Sequence, residues 1–283
     1  MRIFLDARDL INLVEGRGPC SLGEIRGRLS AGGHEVALSP TVVFEVAAPL
    51  VEPSTDTVVM RRLNALESLP VAYLADSQIG LLELTSAISS FLGGREYAPI
   101  DPYVERFDAA IPISGSAPTA AYLRHSLAET VFTIWRQKPD LLRWPTTKVD
   151  GLQAVMAADR SLTSTPSLAS HFRKKLRRDL RLYGIAEPPS GVDSLADWIY
   201  QSPDRCPGLR LGYEVFHQLR RNIGDLPAAS DFGDFAHVSC LPYVDLITLD
   251  RRMADYVRRS GRGWLQAPAA RIRHDLASVV TEL

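Results

Sequence analysis

Short apolar runs alternate with segments of helical periodicity in the first part of the chain, and this alternation limits the fold more than any other feature. The runs at 2–6, 34–38 and 71–74 are too brief for helices and are typical of buried strands. Between them, segments such as 40–51 and 56–69 carry apolar residues at helical spacing. Strands that alternate with helices in this way favour an α/β fold with a parallel sheet.

The middle of the chain has a different character. Helical spacing dominates from residue 76 to residue 204, for example over 120–135 and 168–183. Segments rich in proline and glycine separate these predicted helices. We therefore expect a helical region here rather than a continuation of the sheet.

After Pro207 the alternating character returns. The predicted elements are helices at 208–222, 231–241 and 250–259 and a strand at 244–249. We predict one domain formed by residues 1–75 and 205–283, with residues 76–204 as a large all-helical insertion or subdomain.

Composition and charge limit the class of protein. The chain has 283 residues, of which 46% are hydrophobic and 23% are charged, as in an ordinary soluble globular protein. Its formal net charge of −1 predicts no overall attraction to nucleic acid, so a polyanion would have to bind through local patches. The three cysteines are scattered, and the chain shows neither a signal peptide nor an apolar run of about 18 residues. We expect a cytoplasmic protein that does not enter the membrane.

Isolated acidic residues follow two of the apolar runs. Asp6 closes the run 2–5, and Asp250 closes the run 244–249. A carboxylate at the end of a buried strand is costly to desolvate unless it meets water, a partner or a metal ion. Ligands gather outside the carboxyl ends of the strands in open α/β sheets, so both acids are candidate ligands of a hard divalent cation. The alternative for each is a turn residue or a helix cap.

Further acids lie on two predicted helices. Glu45 interrupts one of the most apolar stretches of the chain, on a helix that begins at a strand end. Asp231 and Asp234 open a later helix, where capping is the alternative explanation for one of the two. His237 shares a helix face with Asp234 and is a candidate ligand, although a packed or hydrogen-bonded histidine is the commoner arrangement.

Taken in order, these motifs resemble a PIN domain, the metal-dependent nuclease fold of many prokaryotic toxin ribonucleases. The matching residues are Ile3-Phe4-Leu5-Asp6, Ser39 with Glu45, Asp234-Phe235-Ala236-His237 and Thr248-Leu249-Asp250. The segment 241–250 is similar to a longer bacterial branch of that superfamily. The resemblance covers residues 1–75 and 205–283 and leaves the helical middle outside it.

The resemblance implies a three-layer α/β/α PIN-like fold, one or two Mg²⁺ or Mn²⁺ ions held by carboxylates, and hydrolysis of RNA phosphodiester bonds. The catalytic residues and metal ligands that it implies are Asp6, Glu45, Asp234 and Asp250, with Asp231 as a fifth ligand or a helix cap. The residues expected to support these ligands are Ser39, Thr248 and His237. Such an endoribonuclease would be the toxin of a toxin–antitoxin pair, with an antitoxin protein as a partner.

The predicted helix at 168–183 is strongly basic and is a candidate RNA-binding surface. Its apolar stripe leaves six cations largely outside it, which are Arg173, Lys174, Lys175, Arg177, Arg178 and Arg181. Contact of these cations with phosphate would weaken steeply with salt. The alternative is an ordinary solvated helix face.

Two other functions compete with an RNA nuclease. A non-catalytic scaffold on the same fold would recognise RNA or a protein partner through the helical insertion. A structure-specific DNA nuclease would keep the metal site and change the substrate. A homodimer is the further assembly that we consider.

Overall fold

The computed structural model describes residues 1–48, 55–111, 126–137, 167–222, 224–225, 231–260 and 271–283, with the backbone alone at residues 231 and 232. This part of the chain is a mixed α/β protein built on a six-stranded, mostly parallel sheet. The strands are β1 (Arg2–Phe4), β2 (Glu35–Leu38), β3 (Val71–Leu74), β4 (Tyr103–Val104), β5 (Leu246–Thr248) and β6 (Ile272–Arg273). Their order across the sheet is β4-β3-β2-β1-β5-β6.

Helices connect these strands. In the described ranges they are α1 (Ala7–Val14), α2 (Leu22–Gly32), α3 (Pro40–Ala47), α4 (Asp56–Glu67), α5 (Ile79–Leu92), α6 (Phe107–Ala110), α7 (Leu127–Gln137), α8 (Leu168–Leu182), α9 (Val192–Tyr200), α10 (Pro207–Arg221), α11 (Asp231–Cys240), α12 (Arg251–Ser260) and α13 (Leu276–Val280). Local signals set several of their ends. Ser21 and Glu24 form a capping box at the start of α2, and Gly33 ends that helix in the left-handed conformation. None of the described helices is long and apolar enough to cross a membrane.

Strand β1 lies in the middle of the sheet, between β2 and β5. Ile3 pairs with Val36 on one side and with Leu246 on the other, and all three strands run parallel. Strand β3 continues the parallel sheet beyond β2. The structure therefore confirms a parallel sheet and the predicted strands at 2–6, 34–38, 71–74 and 244–249. The carboxyl ends of these four strands lie along one edge, where ligands gather in open α/β sheets.

Two short edge strands are absent from the sequence prediction. Strand β4 pairs antiparallel with β3, and β6 pairs parallel with β5. Each has two residues, too few to produce an alternating apolar pattern. Because β4 lies within residues 76–204, the prediction of an all-helical insertion is wrong, since this segment adds an antiparallel strand to the sheet.

The described residues pack around two apolar clusters. The larger one surrounds the sheet and includes Phe107 and Ile111, close after β4, together with helix α7. The smaller one joins α5, α8, α9 and α10 around Phe172. Among its described residues, the segment predicted as an insertion thus packs partly on the sheet and partly in the smaller cluster. Helix α7 matches the end of the predicted helix 120–135, whose first residues lie outside the described part of the chain.

A buried carboxylate joins helix α5 to the beginning of α10. Glu83 is fully buried and accepts hydrogen bonds of 2.7 Å from the backbone N–H groups of Gly208 and Leu209. It also accepts a hydrogen bond from the hydroxyl of Tyr243. Cys206, at the N-cap of α10, makes no side-chain capping bond, so Glu83 satisfies the free N–H groups of this helix. Burial raises the pKa of Glu83 to about 7, although the hydrogen bonds act in the opposite direction.

We expect Glu83 to make stability depend on pH. Its pKa is raised from 4.5 to about 7 in the folded protein, so its stabilising contribution is complete below the unfolded value and is lost as the pH rises through about 7. Relative to Glu83→Gln, the wild-type free energy of unfolding should fall by about 3 kcal/mol between about pH 5 and about pH 8. Urea unfolding at several pH values measures this difference. The exposed substitution Glu187→Gln is the control, and equal pH slopes for the wild type and Glu83→Gln would contradict the prediction.

Candidate metal centre

Three side chains from distant parts of the sequence converge at the carboxyl edge of the sheet. One ligand atom each from Asp6, Glu45 and His237 lies within 4.8 Å of the other two. Asp6 follows β1, Glu45 lies on α3, and His237 lies on α11. Two carboxylates and an imidazole at these separations could hold one divalent cation.

Asp6 is held in place by both its backbone and its side chain. Its backbone N–H donates a 2.7 Å hydrogen bond to Oγ1 of Thr248, which is fully buried at the end of β5. Its carboxylate accepts a 3.2 Å hydrogen bond from the N–H of Arg8 and so caps helix α1. The carboxylate of Asp6 therefore caps a helix and is also a candidate metal ligand, so the two explanations do not exclude each other. Thr248 supports the position of this residue through the backbone.

Glu45 lies among other carboxylates. Its pKa is raised to about 8, first by burial and then by the charges of Asp6, Asp234 and Asp76 in that order of importance. Its side chain remains 28% exposed. Like charges at one site destabilise the ionised form unless a cation neutralises them. A cation bound at this centre would therefore stabilise the protein.

His237 is buried without a hydrogen bond. Its side chain is 2% exposed, and neither ring nitrogen has a hydrogen-bond partner among the described residues. Nε2 lies 3.6 Å from Oε2 of Glu45, and the ring lies against Phe4 with centroids 5.0 Å apart. Burial lowers its pKa to about 4, so the imidazole is neutral at physiological pH and keeps a lone pair for a metal ion.

Buried polar groups almost always have hydrogen-bond partners, so His237 is unusual. The alternative was a packed or hydrogen-bonded histidine, and the ring is indeed packed against Phe4, although its nitrogens have no hydrogen-bond partner among the described residues. The sequence offered His237 both as a candidate ligand and as a supporting residue, and its ring nitrogens lie among the atoms that could bind the cation directly.

The beginning of helix α11 approaches Glu45 closely. The charge of Asp234 is among those that raise the pKa of Glu45, which places this carboxylate near the centre. A Cβ atom at Gly233 would lie 1.8 Å from Oε1 of Glu45, so a larger residue here would require this carboxylate to move. The side chain of Asp231 lies outside the described part of the structure.

Asp250 does not join Asp6, Glu45 and His237. Its Oδ1 accepts a 2.5 Å hydrogen bond from the backbone N–H of Met253 and caps helix α12. The observed contact of Asp250 is therefore that of a helix cap, as the alternative explanation predicted. Its predicted role as a metal ligand stays a prediction.

Two acids near the centre were not among the predicted ligands. Asp76 follows β3 and is buried, and it accepts hydrogen bonds from the N–H groups of Ser77 at 2.6 Å and Thr41 at 3.3 Å. The hydroxyl of Ser39 also bonds to Asp76, so this predicted supporting residue contacts a different acid from Glu45. Burial raises the pKa of Asp76. The sequence pattern that identified Asp6, an acidic residue directly after an apolar run, could also have identified Asp76.

Asp9 is the second such acid. It lies one helical turn after Asp6 and is 4% exposed, and one of its carboxylate oxygens has no hydrogen-bond partner among the described residues. Burial raises its pKa, and a hydrogen bond from Thr248 opposes this shift. Thr248 therefore connects the backbone of Asp6 to the side chain of Asp9. The sequence signal was the spacing of three residues from Asp6.

The predicted basic helix is α8, and several of its cations contact acids of the same chain. Arg173 lies 2.7 Å from Asp197 and Arg177 lies 3.4 Å from Asp193, both on α9. Further contacts include Arg178 with Asp179 at 3.9 Å and Lys175 over the ring of Phe216 at 4.3 Å. Lys174 and Arg181 are exposed. Exposed ion pairs of this kind contribute little to stability. An RNA phosphate could therefore take the place of the acidic partner of such a cation. RNA binding by this helix stays a prediction.

No protein-family model, curated protein or solved structure matches the chain. The resemblance to PIN domains accordingly rests on the order and spacing of the motifs named above.

Proposed function

We propose that this protein is a Mn²⁺- or Mg²⁺-dependent endoribonuclease with a PIN-like fold. The observation that supports the proposal most strongly is the convergence of Asp6, Glu45 and His237 within 4.8 Å, where the His237 ring has no hydrogen bond to any described residue. In the described part of the chain, this buried imidazole has no hydrogen bond and lies next to carboxylates that repel one another, an arrangement that is costly unless a cation binds both. The parallel sheet and the position of the centre at its carboxyl edge agree with the proposal.

The donor set fits a divalent transition metal. Carboxylate oxygens suit Mg²⁺ and Mn²⁺, whereas an imidazole nitrogen favours transition metals over Mg²⁺. Asp6, Glu45 and His237 would hold the ion, and Asp234 is near enough to add negative charge. We therefore propose that Mn²⁺ binds more tightly than Mg²⁺.

Each residue has a distinct task in phosphodiester hydrolysis. The bound cation supplies Lewis-acid chemistry, which activates water and neutralises charge that develops on phosphate oxygens. Thr248 fixes the backbone of Asp6, so that its carboxylate is oriented before the substrate binds. Glu45, with a pKa of about 8, releases its carboxyl proton when it becomes a ligand. The neutral His237 donates a lone pair without a proton change at physiological pH.

Three parts of the proposal rest on the resemblance to PIN domains. These are RNA as the substrate, a role as the toxin of a toxin–antitoxin pair, and a three-layer α/β/α arrangement. The basic helix α8 would supply phosphate contacts outside the metal centre.

Metal binding and cleavage test the proposal together. The purified protein is titrated with Mn²⁺ by calorimetry and then incubated with single-stranded RNA or DNA in Mn²⁺, Mg²⁺ or EDTA. We expect one or two Mn²⁺ ions to bind and RNA to be cut in Mn²⁺ and not in EDTA. Cleavage that survives EDTA would contradict a metal-dependent nuclease. Absence of both Mn²⁺ binding and cleavage would favour the scaffold.

A further inference from the structure

A cavity of about 300 Å³ has walls from helices α5, α8, α10 and α11. Asp76 lines this cavity, and its charge also acts on Glu45. Helix α11 serves both places, since His237 lies at the centre and Phe235 and Ser239 line the cavity. The volume is at the lower end of the range for small-molecule sites, about 300–1,000 Å³. Asp76 and helix α11 therefore connect the cavity to the candidate metal centre.

The walls of the cavity are suited to a flat ring. Four aromatic side chains line it, which are Tyr183, Tyr213, Phe216 and Phe235. The rings of Phe216 and Phe235 meet edge to face with centroids 5.5 Å apart. Nucleic-acid bases stack on such side chains, and each stacked base contributes substantially to binding.

The cavity provides a carboxylate as a hydrogen-bond acceptor. Asp179, on helix α8, lines the cavity, and a carboxylate has about four acceptor positions. The hydroxyl of Tyr213 uses one position of Asp179, so this carboxylate can accept further hydrogen bonds. The exocyclic amino group of a base is the complementary donor.

We propose that this cavity binds one nucleobase that carries an exocyclic amino group, such as cytosine or adenine. Asp179 accepts a hydrogen bond from the amino group, and the aromatic walls stack on the ring of the base. Placement of this base next to the phosphodiester that is cut rests on the proposed nuclease function. Binding of the base itself needs no metal ion. Uracil has a carbonyl oxygen where cytosine has its amino group, so the subsite discriminates against it.

Cytidine and uridine 5′-monophosphate are the matched probes, because their bases differ at this amino position. Both are titrated into the full chain by calorimetry in EDTA, which removes any contribution of a metal ion. We expect cytidine monophosphate to bind about tenfold more tightly than uridine monophosphate, as for one hydrogen bond to a charged group. Asp179→Asn should reduce this ratio. Equal binding of the two nucleotides, or binding of neither, would overturn the proposal.

Two variants test whether the ligand occupies the cavity. Phe216→Leu removes a ring from the wall and should weaken cytidine monophosphate binding about tenfold. Phe91→Leu is the matched control, because Phe91 is also half-buried but packs on Trp198 in the second core, away from the cavity. Ala236→Phe fills the cavity and should prevent binding, which keeps the test decisive if Phe216→Leu does not fold. Binding by both folded variants at the strength of Phe91→Leu would contradict the assignment.

The two proposals fail separately. Preference for cytidine monophosphate without any cleavage in Mn²⁺ would remove the nuclease function and retain the base-binding cavity. Mn²⁺-dependent cleavage without that preference would do the reverse.

Discussion

Replacement of Glu45 by glutamine is expected to reduce Mn²⁺-dependent RNA cleavage by at least about 100-fold, since removal of even a supporting residue of a metal site costs about 10- to 100-fold. The same substitution should stabilise the metal-free protein. Glutamine keeps the shape of the side chain but carries no charge, so it removes the repulsion from Asp6, Asp234 and Asp76. If Glu45 served only to stabilise the fold, its replacement would instead destabilise the protein.

The sign of the pH dependence follows from the raised pKa of Glu45. Its pKa rises from 4.5 to about 8 in the folded state, so the wild type loses stability relative to Glu45→Gln as the pH increases through this interval. Because the side chain is 28% exposed, solvent reduces the full effect to on the order of 2 kcal/mol. The difference should be small near about pH 4 and complete near about pH 9.

Urea unfolding in EDTA measures the stability, and cleavage of a labelled RNA in Mn²⁺ measures the activity. Glu96→Gln, at an exposed site, is the matched control and should change neither quantity. Glu45→Gln that is destabilised at alkaline pH would contradict the repulsion inferred for this carboxylate. Full activity of that variant would exclude Glu45 as a metal ligand.

The sequence predicted the central sheet well because its signals are local. The apolar runs of β1, β2, β3 and β5 and the helices between them can be identified without any tertiary contact. Strand β4 could not be identified in this way, since its two residues join the sheet only because β3 offers a free edge.

The candidate site was predictable only in part, because one local pattern describes two arrangements. An acid between a strand and a helix is expected both of a metal ligand and of a helix cap. Asp6 caps α1 and also reaches Glu45 and His237, whereas Asp250 is observed as a cap. The state of His237 was not predictable, since the absence of a hydrogen-bond partner depends on every element packed around the ring.

Gly233→Ala is expected to weaken Mn²⁺ binding by about 10- to 100-fold while the fold is retained. The new Cβ atom would lie 1.8 Å from Oε1 and 2.9 Å from Cδ of Glu45, which are atoms at the end of a flexible side chain. Glu45 can therefore rotate away from the cation without a shift of the backbone. Alanine also favours a helix over glycine by about 1 kcal/mol, which compensates for some of the strain in α11.

The control for this substitution is Gly27→Ala on helix α2, where an added Cβ meets no atom within 4 Å. Calorimetry with Mn²⁺ and thermal unfolding are measured for both variants. A double-mutant cycle with Glu45→Gln then separates a local from a general effect. If Gly233→Ala acts by displacing Glu45, it should cause almost no further loss once Glu45 is glutamine. Additive losses, or Mn²⁺ affinity equal to that of Gly27→Ala, would show that contact between α11 and Glu45 does not control the metal centre.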